Sequence, residues 1–412
     1  MSRLGASFFC FLHDALEVGV DEFCDRLVHL GATGVTVAVH YHASRDARPR
    51  TAGRTSAPGA GGAVLDLPPG ASYFPTSPAG YPEQMPPWTP APFDERDVLA
   101  ELRAACTGRG LELRAWTVFG FDERLARLEP SLGQATAFGD RSSSDLCPAD
   151  PVVRRGFVAL ARDVAQRAPD VLVAESLHYH GLRLSRSFFP LDSTARLALG
   201  LCFCEHCTAA AQAAGVDAGA VAAWARDAAG RAFAGRVEAS ERVLGLDDCA
   251  GFADGELVRF LHVRAGVVSS LAAEVAEATR SAGVGLCFMD QAAADQAVLG
   301  PGVLDEAFRA GVDVPALGRT VAEYQVLGYR SSADAVASDL AGYRTALGDG
   351  PAIRLALRPE APDSTSAGDL AAKVRAAVEH GVTGVDFYHY GLVSDAGIDR
   401  AAEALARATG AT

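Results

Sequence analysis

Short apolar runs alternate along the chain with longer segments in which apolar residues recur every three or four positions. The short runs are typical of buried strands, the longer segments of amphipathic helices, and their alternation of a parallel sheet. Eight strands are predicted, at 6–12, 34–40, 111–119, 171–177, 284–289, 321–327, 352–357 and 384–388. No G-x-G-x-x-G follows the first strand, which disfavours an open doubly wound sheet. The pattern therefore predicts an α/β fold, a (β/α)8 TIM barrel.

Two insertions interrupt the alternation without ending it, so we expect one domain over residues 1–412. The first, 43–93, is rich in proline and glycine and leaves the second strand at the end where barrel active sites lie. We expect a lid-like loop whose Arg45 or Arg48 meets an acidic substrate group, with a solvated loop as the alternative. The second, 181–251, follows the fourth strand and is expected to be helical and to carry cysteines. The segment 138–145 is another candidate substrate loop.

Charge and hydropathy limit the partners. A net charge of -14 disfavours nucleic acid, whose phosphates require basic patches. No apolar run approaches the roughly 20 residues that cross a bilayer, and the first residues lack a signal-peptide layout. We therefore expect a cytoplasmic protein with a small-molecule or carbohydrate substrate and no membrane partner; a homo-oligomer stays open. The single lysine, Lys373, lies in a helical pattern, which disfavours Schiff-base chemistry unless Lys373 itself is in the site.

The alternation of side chains indicates which residues face the barrel interior. In the second strand, Val35, Val37 and Val39 form the outward set. The inward residues predicted for the second, seventh and eighth strands are Thr36, Ala38, His40, His42, Arg354, Ala356, Arg358, Glu360, Asp386 and Tyr388. The fourth strand is ambiguous, because Glu175 shares parity with Val171 whereas His178 and His180 do not. A bulge or strand end near Ser176 would reconcile them.

Histidines and aromatic residues cluster at three predicted strand ends: His40-Tyr41-His42, His178-Tyr179-His180 and Tyr388-His389-Tyr390. Sugar sites combine aromatic faces with polar groups, so the clusters favour a polar ligand site at this end of the barrel. The residues predicted to bind substrate are His40, His42, Trp116, His178, His180, Asp290, Arg358, Asp386 and Tyr388.

Three cysteines, Cys202, Cys204 and Cys207, lie within six residues. Thiolates this close can converge on one tetrahedral ion, which needs a fourth ligand from elsewhere. Cys147 is the first choice, with His206 and Cys249 as alternatives. The other interpretation is a set of reduced thiols without metal.

The order of motifs around these cysteines resembles that of glycoside hydrolase family 42 β-galactosidases. The segment Cys147-Pro148-Ala149-Asp150-Pro151 matches a C-P-x-x-P that precedes the third helix there, and a strand-ending glutamate and a C-x-C-x-x-C follow in both. The resemblance is clear over 145–208. It implies a retaining (β/α)8 glycosidase with a structural zinc on four cysteines, Cys147 being the fourth ligand. It also implies Glu175 as the acid/base.

The chain departs from that family at three points. Ala174 replaces the asparagine before the glutamate, and the stretch from Glu175 to Cys202 is longer. Glu360, which the resemblance implies as the nucleophile, lies a little late after the seventh strand. We therefore expect a distant, glycosidase-like relative that cleaves with two carboxyl groups. Other acids at strand ends are Asp14, Asp290, Glu323 and Asp386; Glu323 is expected inside the barrel, paired with Arg354.

Two other functions compete with the glycosidase. His40 and His42 could bind a catalytic metal with His178, His180 or Asp386, as in a metal-dependent hydrolase or isomerase. A non-catalytic carbohydrate-binding barrel is the third interpretation.

Overall fold

The computed structural model describes residues 4–49, 63–181, 188–238, 244–291 and 306–410. Within them, eight parallel strands close into a barrel, since the first strand pairs with both the second and the eighth. The strands are β1 Gly5–Phe11, β2 Gly34–Tyr41, β3 Glu112–Val118, β4 Val171–Glu175, β5 Gly285–Asp290, β6 Glu323–Leu327, β7 Ala352–Leu357 and β8 Gly384–Phe387. The predicted (β/α)8 barrel is confirmed.

Helices fill the connections between the strands. They are α1 Leu12–Val18, α2 Val20–His29, α3 Val98–Arg109, α4 Glu123–Leu128, α5 Pro151–Ala165, α6 Ser193–Gly200, α7 Glu205–Ala213, α8 Ala218–Phe233, α9 Glu256–Arg280, α10 Val314–Gly318, α11 Ala333–Leu347, α12 Ala367–Glu379 and α13 Asp395–Thr409. None of these helices is long and apolar enough to cross a membrane.

Local sequence explains where α5 begins. The Asp150 side chain accepts hydrogen bonds from the backbone N–H groups of Val152 and Val153, and Pro151 occupies the first turn. Aspartate at the cap is favourable because it accepts hydrogen bonds from the free N–H groups at this end of the helix. Proline just inside the helix is favourable because it has no N–H group to leave unpaired. Part of the C-P-x-x-P motif therefore sets the start of a helix.

Charged side chains fill one level of the barrel interior. Arg114 lies 2.5 Å from Glu323, and Arg354 contacts both oxygens of Asp386. Gln325 donates to the same carboxylate at 2.6 Å. The predicted pairing of Glu323 with Arg354 is thus wrong in detail, because Arg354 uses its hydrogen bonds on Asp386. Each buried charge is offset by an opposite one, as burial requires.

The first insertion contains what we call the insertion hairpin, two antiparallel strands at Ser44–Ala47 and Val64–Leu67. Arg48, which directly follows the first of these strands, is buried against Asp14 and Glu17 of α1, and Arg45 pairs with Asp66 at 2.9 Å. Both arginines therefore pair with carboxylates of the protein itself.

The second insertion is helical where it is described. It contributes α6, α7 and α8, and its apolar residues form a cluster with Leu257 and Phe260 of α9. Lys373 lies on α12, where its ammonium group contacts the Ser364 hydroxyl at 3.2 Å and Asp369 at 3.4 Å. The only lysine thus serves packing between a loop and a helix.

Candidate functional site

Glu175 is the last residue of β4 and is held by two side-chain donors. The indole N–H of Trp116 donates to Glu175 Oε2 at 2.5 Å, and the Gln291 amide donates to Oε1 at 2.5 Å. Trp116 belongs to β3, and Gln291 directly follows β5. The two neighbouring strands therefore fix the carboxyl group at the carboxyl-terminal mouth of the barrel.

The chain turns sharply after Glu175. Ser176 has a φ of 59°, in the left-handed region, so the alternation of β4 ends there. Its hydroxyl donates to the side-chain amide oxygen Oε1 of Gln291 at 2.8 Å, which orients the amide N–H toward Glu175. The strand end near Ser176 explains why Glu175 faces inward although His178 and His180 have the other parity.

Aromatic rings surround the Trp116 indole. Its ring centroid lies 5.0 Å from Phe9, 4.8 Å from Tyr41 and 6.0 Å from Tyr388, each at a steep angle. Edge-to-face packing of this kind stabilises rings in fixed positions. The carboxyl group of Glu175 therefore lies beside a rigid aromatic wall.

Two tyrosines share the electrostatic environment of Glu175. Burial raises the pKa of Tyr41, and the neighbouring Tyr388 and Glu175 raise it further. Burial likewise raises the pKa of Tyr388, and the charges of Glu175 and Asp46 add to the effect. Both hydroxyls stay protonated near neutral pH and can donate hydrogen bonds. Asp46 belongs to the insertion hairpin, and its charge adds a small rise to the pKa of both tyrosines.

The alternation expected for the second strand fails at its end. The register between β2 and β3 shifts between Ala38 and His40, which is a bulge. His40 consequently bonds Ser72 at 3.0 Å and lies 3.8 Å from Asp122, whereas Tyr41 contacts Trp116. Tyr41, and not His40, is the inward residue there. His42 stacks on Tyr41 at 4.2 Å and remains beside the mouth.

His178 and His180 are both buried, and the centroids of their rings lie 5.2 Å apart. His178 Nδ1 is 2.7 Å from the Tyr179 carbonyl oxygen, and His180 Nδ1 is 3.0 Å from Asp145. His180 lines a cavity of about 300 Å³ together with Asp145 and the serines of 142–144. The candidate substrate loop 138–145 thus meets His180 at this cavity.

Arg358 follows β7 and lies over the Tyr329 ring at 4.2 Å. Its guanidinium also bonds Asp363, while about a third of its side chain remains exposed. The Tyr329 ring is 6.2 Å from that of Tyr388. Arg358 therefore places a positive charge near the tyrosines that neighbour Glu175.

Glu360 follows β7 in the sequence and packs against the start of α13. The Ser394 hydroxyl bonds its Oε1 atom, and Arg400 contacts Oε2 at 3.1 Å. Burial acts to raise the pKa of Glu360, but the Ser394 hydrogen bond and the Arg400 charge outweigh it and lower the pKa. Both oxygens of Glu360 are therefore engaged with the last helix.

Two other predicted ligand residues lie away from the mouth. Asp290 accepts hydrogen bonds from Tyr324 at 2.7 Å and from Tyr343 of α11 at 2.8 Å, so it faces the helices outside the barrel. Asp386 belongs to the charged interior level with Arg354. Both carboxylates have structural partners and are fully buried.

Sequence reasoning did not single out three residues of the mouth: Tyr41, Gln291 and Tyr329. Tyr41 ends β2, Gln291 directly follows β5, and Tyr329 lies two residues after β6. Tyr41 was visible within a histidine–aromatic cluster, but the bulge that turns it inward has no sequence signal.

The four cysteines Cys147, Cys202, Cys204 and Cys207 form a buried group that we call the cysteine cluster. Their sulfur atoms all lie within 4.8 Å of one another, and Cys147 is 3.4 to 3.8 Å from the other three. Four sulfurs bound tetrahedrally at 2.3 Å from an ion lie about 3.8 Å apart. The geometry of the cysteine cluster therefore fits a metal ion.

The two alternative candidates for the fourth metal ligand lie outside the cysteine cluster. His206 Nε2 is 3.3 Å from Asp150, and Cys249 packs in a separate apolar cluster near Gly245. Within the described ranges, the cysteine cluster is the one group in which three or more ligand atoms converge. His40 and His42 belong to no such group there.

Comparison with known proteins identifies the fold of this chain but no family. No protein-family model and no curated protein sequence matches the chain. Among solved structures, α-L-fucosidase isoenzyme 2 from Paenibacillus thiaminolyticus has a TM-score of 0.54 at 11% identity, over 98% of this chain and 49% of that one. A β-galactosidase from the psychrophilic Marinomonas ef1 has a TM-score of 0.55 at 13% identity, over 98% and 59%.

The catalytic domain of a β-amylase from Paenibacillus polymyxa has a TM-score of 0.53 at 11% identity, over 96% of this chain and 94% of that domain. The chain spans only about half of the fucosidase and three fifths of the galactosidase. At these identities the likeness concerns the fold alone. The chain therefore has a glycosidase-like (β/α)8 barrel fold.

Proposed function

We propose that this protein is a glycoside hydrolase in which Glu175 is the general acid/base. The observation that carries the proposal is the position of Glu175: a carboxyl group at the end of β4, held by Trp116 and Gln291 beside an aromatic wall. A glycosidase needs a fixed carboxyl group that can transfer a proton to the leaving oxygen. The resemblance over 145–208 independently implies the same residue.

The substrate class is a carbohydrate or a sugar-containing small molecule. Trp116 and Tyr41 are buried and are proposed to support the site, whereas the partly exposed rings of His42 and Tyr388 can meet sugar C–H groups. The Tyr388 hydroxyl and Arg358 can bind sugar oxygens. His42 extends this surface, and His178 and His180 are proposed to continue it toward the neighbouring cavity. His40 is proposed to position the strand end through Ser72.

The second carboxyl group has two candidates. Glu360 is the nucleophile that the resemblance implies, but its oxygens bond Ser394 and Arg400. Asp46 of the insertion hairpin is an alternative, because its charge and that of Glu175 both raise the pKa of Tyr41 and of Tyr388. Whichever residue serves must face the same glycosidic oxygen as Glu175.

The first experiment measures hydrolysis of a panel of 4-nitrophenyl glycosides by the wild type, Glu175→Gln and Glu274→Gln. Glu274 is an exposed residue of α9 paired with Arg154, so it controls for loss of a surface carboxylate. We expect Glu175→Gln to lower kcat by about 10²- to 10⁴-fold, the usual effect of losing a general acid/base, and the control to keep full activity. Unchanged turnover in Glu175→Gln would overturn the mechanism.

The second experiment compares Asp46→Asn with Glu360→Gln on the substrate found. If Asp46 supplies the second carboxyl group, Asp46→Asn loses most activity, whereas Glu360→Gln mainly lowers stability by freeing Ser394 and Arg400. The reverse pattern would assign this role to Glu360. The anomeric configuration of the first product, followed by NMR, then separates retention from inversion.

We also propose that the cysteine cluster holds a structural zinc ion. Four thiolates close the coordination sphere, so the ion would stabilise the junction between the segment before α5, α7 and α9 without touching substrate. Metal analysis should find about one zinc per chain. Mild chelation should leave activity intact.

The two other functions remain outcomes of these tests. A carbohydrate-binding barrel without catalysis would bind sugars in calorimetry and cleave none of the panel. A hydrolase or isomerase using His40 and His42 would lose activity on mild chelation. The geometry supports it less, because His40 is engaged with Ser72 and lies near Asp122.

A further inference from the structure

Arg264, on α9, is buried in an unusual way. Its side chain is only 1% exposed, and none of its three guanidinium nitrogens has a hydrogen-bond partner among the described residues. A buried cation without an opposite charge is unfavourable, because it loses its hydration and a contact with an aromatic ring returns only part of that loss. An anion near Arg264 would therefore stabilise the fold.

The surroundings of Arg264 point to the cysteine cluster. Its guanidinium carbon lies 4.3 Å from the ring centre of Tyr179, and the Tyr179 hydroxyl is 3.3 Å from Cys207 Sγ. Val268, one helical turn further along α9, packs in the same apolar group as the four cysteines. The same face of α9 thus presents both Arg264 and Val268 toward the cluster.

The packing around this contact is tight. A Cβ atom at Gly311 would lie 3.1 Å from both the Arg264 carbonyl oxygen and the Tyr179 ring. Gly311 has a φ of 72°, so a side chain there would also be strained. The close approach holds Arg264 and Tyr179 against each other.

Four thiolates around a divalent ion carry a net charge of −2, whereas four protonated thiols carry none. We propose that Arg264 is the counter-charge of a dianionic metal–thiolate centre, acting across the ring of Tyr179, whose hydroxyl donates to Cys207. This inference rests on the zinc site proposed above. Arg264 is then a positioning residue for the metal, and it favours the metal-loaded form over the empty one.

This role predicts that removal of the Arg264 charge affects the stability of the protein in opposite directions with and without the metal. With the metal bound, the positive charge of Arg264 is compensated, and its removal destabilises the protein. Without the metal, the charge is buried and uncompensated, so its removal is neutral or stabilising. A residue that only fills space would destabilise both forms equally when shortened.

The experiment uses the full chain, first assayed for zinc. Zinc transfer to the chromogenic chelator 4-(2-pyridylazo)resorcinol is then timed for the wild type, Arg264→Met and Arg280→Met. Arg280 is an exposed residue of the same helix, paired with Glu277, and serves as the matched control. We expect release to be about 10- to 100-fold faster from Arg264→Met, the usual effect of losing an outer-shell partner, and unchanged from the control.

The thermal midpoints of Arg264→Met are compared in two backgrounds, the wild type and the metal-free Cys147→Ser/Cys204→Ser. A lower midpoint in the first and an equal or higher one in the second support the proposal. Equal losses in both, with unaltered zinc release, overturn it. If Arg264→Met does not fold, Arg264→Lys and Arg264→Gln give the same comparison, because only the charged variant should retain slow release. A wild type that cannot bind zinc fails the zinc proposal itself.

Discussion

The indole N–H of Trp116 donates to Glu175 Oε2 at 2.5 Å, joining the aromatic wall of β3 to the carboxyl group that ends β4. A hydrogen bond to a charged group contributes about 1.5–3 kcal/mol. Trp116→Phe keeps a ring in place and removes this donor. We therefore expect kcat/KM to fall about 10- to 100-fold and the thermal midpoint to fall as well, because the smaller ring leaves this buried position underfilled.

Trp224→Phe is the control for that variant. Trp224 lies on α8 and stacks on Phe252 at 5.2 Å, outside the barrel mouth. It should keep full kcat/KM. Equal kinetic losses in the two variants would show that the Trp116 donor does not position Glu175.

Loss of one ligand tests the cysteine cluster. Cys147→Ser replaces a buried sulfur 3.4 Å from Cys204 with a poorer zinc ligand. We expect zinc content to fall well below one per chain and the thermal midpoint to drop by several degrees, because metal binding contributes to folding. Cys249→Ser, also buried but outside the cluster, should keep its zinc. Full zinc in Cys147→Ser would contradict the assignment.

His13 gives the folded state a pH dependence. Burial and the charge of Arg48 lower the pKa of His13 to about 4, and its ring packs edge-on against Tyr73 and Phe93. In the unfolded chain the imidazole takes up a proton near pH 6.5, whereas in the folded chain it does so only near pH 4. Stability is therefore unaffected above pH 6.5 and falls as the pH drops toward 4, by up to about 3 kcal/mol.

His13→Phe removes this titration and retains the ring contacts. Urea unfolding at pH 7 should give similar free energies for both proteins, and at pH 4.5 the variant should be the more stable. Parallel curves over this range would rule out a neutral buried His13.

Asp386 holds the charged level of the barrel together. Burial acts to raise its pKa, but the charge and hydrogen bonds of Arg354 and the charge of Arg114 outweigh it and keep the pKa of Asp386 below its usual range. Its contribution to stability is present above about pH 4 and is lost as the pH falls through the lowered folded-state pKa. Asp386→Asn should cost about 3–5 kcal/mol at pH 7, because it leaves Arg354 without its carboxylate.

That loss should shrink at pH 3, below the ordinary pKa of aspartate, because the unfolded wild-type chain then binds a proton at Asp386 that the folded chain resists. Urea unfolding at both pH values measures it, with Asp227→Asn, an exposed partner of Arg231, as the control. An equal loss at both pH values would mean that the Asp386 charge does not stabilise the barrel.

The sequence predicted the barrel because each strand and helix has its own hydrophobic period, and these periods survive folding. The side chains at the mouth of the barrel were harder to predict, because they depend on where the alternation along each strand stops. The turn at Ser176 and the bulge before His40 each reverse which side chain faces inward. Glu360 and Asp290 follow the expected strand-end pattern, yet Ser394 and Tyr343 bind them on the helix side. Such partners come from distant segments and leave no local signal.

The leaving-group dependence of hydrolysis by Glu175→Gln tests the central claim most directly. A general acid matters most when the departing oxygen is basic. We therefore expect the kcat/KM of Glu175→Gln, relative to wild type, to be far lower for alkyl glycosides than for 2,4-dinitrophenyl glycosides of the same sugar. An equal loss for both leaving groups, or no loss, would contradict the role of Glu175 as the general acid.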